Sequence, residues 1–216
     1  MDRHLSTQLE ALLLVACLVV ANLDAIVKAY DIRGVVPDQL DAQAAYAFGV
    51  SFAKFTGASA VVVAHDMRPS GPDLVDAFQR GLLAHGVSVT NLGLASSDLL
   101  YYASGKLDMP GAMFTASHNP AQYNGIKCCL SGARSIGIDN GLREMKTIAA
   151  EVLAGREPAP AATAGKLDHV NMLSEFADHV VRFIAGDTLR PLKIVADTAN
   201  GMGGLVVPAV FDRLSA

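Results

Sequence analysis

A hydroxyl, an imidazole and an amine lie close together in one short stretch of the sequence. Ser117 and His118 are neighbours in the segment Thr115-Ala-Ser-His-Asn-Pro120, and Lys127 ends the segment Asn124-Gly-Ile-Lys127. The Asn-Pro pair that closes the first segment predicts a stiff turn, which would fix the direction of the serine hydroxyl. These groups suit the handling of an anionic group. Judged from residue types and spacing alone, an ordinary hairpin turn with an exposed serine is the commoner interpretation.

Two kinds of hydrophobic pattern alternate along the chain and must position these side chains. Short apolar runs bounded by turn residues predict buried strands at residues 60–64, 87–92, 111–115 and 126–130. Apolar residues three and four apart predict helices over residues 40–55, 74–83 and 140–153. Alternating strands and helices indicate an α/β layered domain with a parallel or mixed sheet. The serine segment follows one of the strands, where α/β folds present ligand-binding loops.

The second predicted helix carries start and stop signals. Ser70 and Asp73 have the spacing of a capping box, and Pro72 falls in the first turn. Gly86 follows the last apolar position, as expected just beyond the end of a helix.

Composition excludes several classes of protein. The 216 residues carry 17 basic and 21 acidic side chains, a net charge of −4, which argues against a general nucleic-acid binder. Apolar residues make up 51% and charged residues 18%, a balance typical of a globular chain and not of a disordered one. At roughly 150 residues per domain, the length corresponds to about one and a half domains.

Three cysteines, Cys17, Cys128 and Cys129, provide neither a disulfide framework nor a metal-binding spacing. We therefore expect a reducing compartment, and we interpret the adjacent pair as part of a strand.

The first 24 residues form a leader of open status. Residues 11–21 are unbroken apolar, about half the length of a membrane span, so no membrane crossing is expected. The run has the features of a secretory-signal core, and Leu14-Val-Ala-Cys17 resembles a lipoprotein cleavage box. Asp2 and Glu10 argue against export because a signal needs net positive charge at its start. A misassigned leader or a buried N-terminal helix is favoured, with the protein in the cytoplasm.

A change of composition predicts a domain boundary. Residues 157–165 contain two prolines among small residues and break every periodicity. We place a first domain at residues 25–156, a linker at 157–168 and the incomplete start of a second, similar domain at 169–216. In that second part the pattern predicts a helix around residues 172–184, a strand at 192–196 and a further helix after the turn at 200–204.

Four segments resemble the α-D-phosphohexomutases in order and separation, most closely the bacterial phosphomannomutase/phosphoglucomutase branch. They are Tyr30-Asp-Ile-Arg-Gly34, Thr115-Ala-Ser-His-Asn-Pro120, Tyr123-Asn-Gly-Ile-Lys127 and Asp197-Thr-Ala-Asn-Gly-Met-Gly203. The serine segment is the most specific of them. The resemblance runs from about residue 25 to the end of the chain and implies a three-layer α/β/α domain with a mixed sheet.

This resemblance implies roles for particular residues. Ser117 would be carried as a phosphoserine whose phosphoryl group passes to a hexose phosphate, giving a sugar bisphosphate intermediate that returns its other phosphate to the serine. The net reaction interconverts hexose 1-phosphate and hexose 6-phosphate. Arg33 and Lys127 would bind substrate and cancel charge on the moving group, and either His118 or these two cations would assist proton transfer. Tyr30 would line the substrate side of the cleft, or would be a strand tyrosine at the domain edge, while Asp31 and Gly34 would shape a turn that aims Arg33.

The family places a Mg²⁺ ion between the phosphoserine and an aspartate-rich loop, DGDxDR, of its second domain. Ser117 would be a ligand through its phosphate, but no Asp-x-Asp cluster occurs in this sequence. The family's later loops for sugar hydroxyls and for the non-reacting phosphate also have no counterpart here. We therefore expect the 216-residue polypeptide by itself to be inactive or nearly so.

The loop at residues 64–70 departs from the family pattern. Ala64 and His65 stand where the family usually has a glycine and a basic residue, although Asp66, Arg68 and Ser70 are kept. A solvated loop followed by a helix cap accounts for these residues, so we predict no site there.

Two other functions stay open at this point. The chain could be a non-catalytic phosphosugar-binding or regulatory module with the same fold. A serine hydrolase is disfavoured because Ser117 lacks a Gly-x-Ser-x-Gly elbow, and because the adjacent Ser117 and His118 side chains are not expected to point at each other.

Overall fold

The computed structural model of the chain describes residues 22–184, 189 and 192–214. Most of the predicted leader, residues 1–21 with Cys17, lies outside the described residues. None of the helices among the described residues combines the length and apolarity needed to cross a membrane.

A mixed sheet of seven strands forms the centre of the described chain. The strands are β1 (Ile32–Val35), β2 (Ala60–His65), β3 (Ser88–Leu94), β4 (Gly111–Phe114), β5 (Tyr123–Leu130), β6 (Arg134–Ser135) and β7 (Leu167–His169). Their order is β1-β5-β4-β2-β3-β7, and β6 pairs with β5. β2 is parallel to β3 and β4, and β3 is parallel to β7, whereas β5 is antiparallel to β1, β4 and β6.

Helices cover both faces of this sheet. They are α1 (Leu23–Ile26), α2 (Ala42–Thr56), α3 (Gly71–Ala84), α4 (Ser97–Leu107), α5 (Arg143–Leu153), α6 (Leu173–Val181) and α7 (Gly203–Phe211). Successive side chains of β2 point to opposite faces. Val61 and Val63 pack into the apolar cluster that includes α2, α3 and α5, and Val62 and Ala64 pack into the cluster formed with α4 and α6. The predicted three-layer α/β/α domain is therefore confirmed.

The larger cluster contains a run of aromatic rings between α2, α3 and the sheet. The Phe52 and Phe78 centroids are 5.9 Å apart, and Phe78 meets Phe114 of β4 edge to face at 5.3 Å. Phe114 is the last residue of β4, so this packing fixes the strand from which the serine segment leaves.

The ends of α2 follow from its sequence. The Asp41 carboxylate accepts a hydrogen bond from the Ala44 N–H at 2.8 Å, which satisfies one of the free amides of the first turn. Gly57 ends the helix with φ of 58°, a left-handed conformation that glycine adopts at low cost.

The predicted capping box of α3 is wrong. Ser70 occupies the N-cap position, but its side chain makes no capping hydrogen bond. Its hydroxyl instead accepts a hydrogen bond from the Asn124 side chain at 2.9 Å. The remainder of the signal is confirmed, since Pro72 lies in the first turn and Gly86 follows the helix with φ of 79°.

Other differences from the sequence-based prediction have local causes. Residues 192–196 do not form the predicted strand, because no strand among the described residues pairs with them. The helix predicted from residue 140 begins at Arg143, since Gly141 has φ of 157° and interrupts the regular backbone. The sequence analysis did not predict α4 or the strands β1, β6 and β7.

β7 adds residues 167–169 to the sheet edge beside β3. Beyond it, Met172 and Phe176 are buried in the cluster that also contains Leu99 and Leu100 of α4. Residues placed in the predicted linker and just after it therefore contact the first domain directly.

Candidate active site

Ser117 lies on the loop between β4 and β5, beyond the carboxyl end of β4. Its side chain is exposed, and its backbone has φ of 53°, in the left-handed region. The Ser117 N–H donates to the Thr115 hydroxyl at 3.0 Å, and the Asn119 side chain donates to the Ala116 carbonyl at 2.8 Å. The loop is therefore a tight turn that presents the serine hydroxyl to solvent.

The Ser117 hydroxyl and the His118 imidazole are within hydrogen-bond distance. Ser117 Oγ and His118 Nδ1 are 3.3 Å apart. The expectation that these adjacent side chains do not point at each other is thus wrong, because the left-handed backbone at Ser117 changes the usual divergence of neighbouring side chains. His118 can exchange a proton with a group bound at the hydroxyl.

No carboxylate forms an ion pair with His118 in the part of the chain that the structure describes. A serine–histidine nucleophile is normally completed by a third group that orients the imidazole. The contact between Ser117 and His118 therefore does not by itself make a hydrolase triad.

Two cations converge on one buried carboxylate beside this loop. The Arg33 guanidinium donates to both oxygens of Asp31, at 3.1 and 2.8 Å, and Lys127 Nζ donates to Asp31 Oδ2 at 3.2 Å. The Asp31 side chain is 7% exposed, against 32% for Arg33 and 29% for Lys127. Two positive charges share one negative charge, so a net positive charge faces solvent.

Strand pairing joins these cations to the serine loop. Arg33 of β1 lies opposite Gly125 of β5, and Lys127 is two residues further along β5 on the same face. The Gly125 carbonyl accepts a hydrogen bond from the Thr115 N–H at 3.0 Å, at the start of the loop. The expectation that Asp31 and Gly34 shape a turn that aims Arg33 is wrong for Gly34, which belongs to β1. Asp31 does lie in a tight turn just before β1, where its carbonyl accepts a hydrogen bond from the Lys28 N–H at 2.8 Å, and its carboxylate orients Arg33 through a direct ion pair.

Close backbone approach requires glycine at position 125. A Cβ atom there would lie 2.3 Å from the Ile32 carbonyl oxygen and 2.9 Å from the Thr115 carbonyl oxygen. Asn124 beside it is fully buried and hydrogen-bonded on both sides, since its amide nitrogen donates to Ser70 and its amide oxygen accepts from the Gly125 N–H. These contacts fix the start of the strand that carries Lys127.

Asp66 and Arg68, for which no site was predicted, lie buried beneath the serine loop. Their exposed fractions are 4% and 5%, so the expectation of a solvated loop is wrong at these two residues. The Arg68 guanidinium donates four hydrogen bonds to main-chain carbonyls of the loop and of the start of β5. Their position in the sequence could have indicated this contact. Both residues follow β2, the parallel neighbour of β4, and the loops after adjacent parallel strands meet at one edge of a sheet.

The domain matches a known family. The family model described as phosphoglucomutase/phosphomannomutase, alpha/beta/alpha domain I, matches residues 24–155. The chain belongs to this phosphoglucomutase/phosphomannomutase family.

Curated relatives and solved structures agree with this assignment. The chain is 39% identical over 189 residues to a Xanthomonas campestris protein named Phosphohexose mutases, a match covering 87% of the chain and 41% of the relative. It is 35% identical over 191 residues to an Escherichia coli phosphomannomutase, covering 88% and 41%. A Burkholderia thailandensis phosphoglucomutase/phosphomannomutase family structure superposes with a TM-score of 0.73 at 31% identity, covering 87% of the chain and 42% of that protein. The chain spans about two fifths of the length of these curated relatives.

The family domain brings most of the predicted site residues to one edge of the sheet. Ser117 and His118 share the loop, and Arg33 and Lys127 share Asp31 on the adjoining strands. Tyr30 comes just before Asp31 and β1, and the residue is 80% exposed. Ser117 itself is exposed on the same edge.

The residues present do not complete a magnesium site. Among the described residues, no group of three or more His, Cys, Asp or Glu side chains is placed to hold a metal ion. Mg²⁺ requires several oxygen ligands in octahedral array. Ser117 could contribute one oxygen through a phosphate, and the carboxylate ligands would have to come from outside these residues.

Cys128 and Cys129 lie in β5, as interpreted from the sequence, and both are buried with free thiols. Burial raises the pKa of the Cys128 thiol far above its ordinary value, with a smaller contribution from the Cys129 thiolate. Neither thiol is placed as a nucleophile, since only the thiolate reacts.

Proposed function

We propose that this chain provides the phosphoryl-carrying serine of a phosphohexomutase that interconverts hexose 1-phosphate and hexose 6-phosphate. The observation that best supports this proposal is the geometry around Ser117. Its exposed hydroxyl is held on a tight loop beside the His118 imidazole, and Arg33 and Lys127 provide excess positive charge nearby. The names of the relatives, phosphohexose mutase and phosphomannomutase, supply the substrate class.

The proposed reaction passes one phosphoryl group in each direction. A free hydroxyl of the bound hexose phosphate attacks the phosphorus on Ser117, a new P–O bond to the sugar forms, and the bond to Ser117 Oγ breaks. The sugar hydroxyl loses its proton to His118, or to solvent with Arg33 and Lys127 assisting, and Ser117 Oγ gains a proton. The sugar bisphosphate then reorients and returns its other phosphate to Ser117 by the reverse of these steps.

Charge is the main demand of this chemistry. A phosphoserine carries roughly two negative charges, and catalysis of its transfer is mostly positioning and charge stabilisation. Arg33 supplies a planar fork suited to phosphate oxygens, and Lys127 supplies a point charge. Both are a third exposed or less and already held by Asp31, so little ordering is needed when an anion arrives. Tyr30, with its exposed ring, is proposed to line the substrate side of the cleft.

The 216-residue polypeptide by itself is proposed not to turn over. The described residues offer no complete set of ligands for Mg²⁺ at the phosphoserine, and no step of the proposed reaction is assigned to the metal. An assay with the purified polypeptide, hexose 1-phosphate and Mg²⁺ tests this point, and sustained formation of hexose 6-phosphate would contradict it.

A chimera tests the function itself. Residues 24–155 replace the matching segment of the Escherichia coli phosphomannomutase to which the chain is 35% identical. We expect the chimera to convert mannose 1-phosphate to mannose 6-phosphate, and Ser117→Ala to lower kcat by about a thousandfold or more, as for loss of a covalent nucleophile. Ser135→Ala, at an exposed serine of β6, is the matched control and should leave kcat unchanged.

Phosphopeptide mass spectrometry on the chimera locates the phosphate. A phosphate on Ser117 after incubation with a hexose bisphosphate supports the proposal. Full activity in the Ser117→Ala chimera would overturn it. Sugar-phosphate binding with no phosphate transfer in an otherwise folded chimera would favour a non-catalytic binding module.

A further inference from the structure

The Arg68 guanidinium donates hydrogen bonds to four main-chain carbonyls of the serine loop and the start of β5. Its Nη2 donates to the carbonyls of Ser117 and Asn119, at 2.9 and 2.8 Å, and its Nη1 donates to those of Pro120 and Tyr123, at 2.8 and 2.7 Å. These are charge-assisted hydrogen bonds, which are stronger than bonds between neutral groups. One buried side chain thus binds the loop from the serine to the first residue of β5.

Asp66 holds this arginine in place. Arg68 Nε is 3.4 Å from Asp66 Oδ2, and the Arg68 N–H donates to Asp66 Oδ1 at 3.0 Å. Arg68 and Asp66 are both nearly fully buried, so each depends on the other for charge compensation. Arg68 is thus anchored by Asp66 within the loop that follows β2.

The four bonds also set the conformation of the serine. A serine with φ of 53° is strained and persists only when its surroundings determine it. The Ser117 carbonyl is fixed by Arg68, and the Ser117 N–H is fixed by the Thr115 hydroxyl at 3.0 Å. The peptide groups on both sides of the residue are therefore held, and they fix the direction of the Cα–Cβ bond that carries the hydroxyl.

We propose that Arg68 is a positioning residue for phosphoryl transfer at Ser117. It holds the serine in its left-handed conformation, and it draws four carbonyl dipoles inward so that their negative ends do not oppose an arriving phosphate. This inference rests on the proposed function for its catalytic consequence, but the effect of Arg68 on the loop is independent of any activity. Lysine cannot replace it, because an ammonium lacks the planar fork with several fixed donors.

Hydrogen exchange on the 216-residue chain tests whether Arg68 holds the conformation of the serine loop. The Asn119 and Tyr123 amides donate within the loop, to the carbonyls of Ala116 and Pro120, and the Thr115 amide donates across to β5. In Arg68→Lys we expect exchange of the Ser117, Asn119 and Tyr123 amides to rise about tenfold or more, with the β3 amides changed less than about twofold. Arg80→Lys, at an exposed ion pair with Asp76, is the matched control and should change none of them.

A second variant keeps the test valid if Arg68→Lys unfolds the chain. The double substitution Asp66→Asn with Arg68→Gln leaves no unpaired buried charge but still removes the fork. Faster exchange confined to the loop supports the proposal in either variant. Unchanged loop exchange, or exchange that rises equally throughout the sheet, overturns it.

The effect of Arg68 on phosphoryl transfer is measured in the chimera, with the unsubstituted chimera as reference. We expect Arg68→Lys to lower kcat about thirtyfold with KM changed less than about threefold, since the serine is misplaced while substrate binding is kept. In Arg68→Ala, millimolar guanidinium should restore part of kcat, and it should not do so in Arg80→Ala. If loop exchange rises but kcat is unchanged, the positioning role is wrong; if the unsubstituted chimera itself is inactive, the proposed function has failed and not the effect of Arg68 on the loop.

Discussion

Ser117 combines the proposed phosphoryl-carrying role with a backbone conformation that serine does not favour. Its Cβ is crowded at φ of 53°, at a cost of about 1 to 2 kcal/mol relative to an ordinary conformation. The surrounding hydrogen bonds from Arg68 and to Thr115 must offset this strain. A residue chosen only for stability at this position would be glycine, so the presence of serine points to its hydroxyl.

Ser117→Gly is therefore expected to stabilise the chain. Glycine has no Cβ to crowd at positive φ, so the free energy of unfolding should rise by about 0.5 to 1 kcal/mol. Urea denaturation of the 216-residue chain measures this change. Ser135→Gly in β6, where φ is not positive, is the control and should lower the free energy of unfolding by a similar amount. A loss of stability in both variants would show that Ser117 is not strained.

The candidate site residues differed in how much of their surroundings the sequence predicted. Ser117, His118, Arg33 and Lys127 were identified because their types suit phosphate chemistry and their segments resemble a family signature. The partners that hold them, Asp31 and Arg68, were not assigned these contacts. Their function depends on which loops the fold brings together, and Arg68 contacts carbonyls about fifty positions away in the sequence.

The elements themselves were predicted where hydrophobic periodicity is strong. The predicted strands at 60–64, 87–92, 111–115 and 126–130 correspond to β2, β3, β4 and β5, with shifted ends, because buried strands are apolar runs. β1 is only Ile32–Val35, with an arginine and a glycine, and its apolar content is too low for such a pattern. Residues 192–196 are an apolar run that does not form the predicted strand. Such a run forms a strand only when a neighbouring strand pairs with it.

The junction of β1, β5 and the serine loop leaves no room at Gly125. Gly125→Ala should lower the free energy of unfolding by about 2 to 4 kcal/mol, because the added methyl would overlap two main-chain carbonyl oxygens. Chemical denaturation measures the loss. Gly105→Ala in α4 is the matched control: nothing lies within 4 Å of its added Cβ, so stability should rise by about 0.5 to 1 kcal/mol. Equal effects at both positions would contradict the close approach at Gly125.

Glu157 contacts side chains at two helices, Tyr46 of α2 and His85 just after α3, and the Tyr46 contact predicts that stability depends on pH. The Tyr46 hydroxyl of α2 donates to Glu157 at 2.7 Å, and His85 at the end of α3 lies 3.1 Å from the same carboxylate oxygen. Desolvation, and then this hydrogen bond, raise the pKa of Tyr46 from 10.0 to about 12. The folded chain therefore keeps a proton that the unfolded chain loses first, so this stabilisation is complete below pH 10 and is lost as the pH rises towards 12.

Tyr46→Phe tests this linkage. The variant lacks the titrating hydroxyl, so its free energy of unfolding should fall less steeply than that of the unsubstituted chain between about pH 10 and about pH 12. Urea denaturation at several pH values gives both slopes. Identical slopes would show that Tyr46 does not contribute to the loss of stability at high pH.

At the scale of the whole molecule, net charge and local charge give different information. The chain is acidic, with a net charge of −4, yet Arg33 and Lys127 together outweigh Asp31 at the edge that carries Ser117. An overall negative charge disfavours long polyanions such as nucleic acid, while two cations at one site suffice for a single phosphate. The local charge therefore suits the hexose phosphate substrate of the proposed function.

The folded unit extends past the end of the family match, because β7 and α6 pack against the first domain. The family model ends at residue 155, and the sequence predicts a linker at 157–168, but β7 pairs with β3 and α6 packs on α4. Met172 and Phe176 are only 3% and 6% exposed, and the rings of Phe176 and Tyr102 are 5.7 Å apart.

A polypeptide of residues 22–156 should therefore be less stable than one of residues 22–184. Removing Met172 and Phe176 uncovers the α4 face, and removing β7 leaves the β3 edge unpaired. We expect the free energy of unfolding to fall by about 3 to 5 kcal/mol, from the burial of two large apolar side chains alone. Urea denaturation of the two polypeptides measures the difference, with Phe176→Ala in the longer one as the intermediate case. Equal stability would place the end of the folded unit at the predicted linker, whereas the expected loss would place β7 and α6 within the first domain.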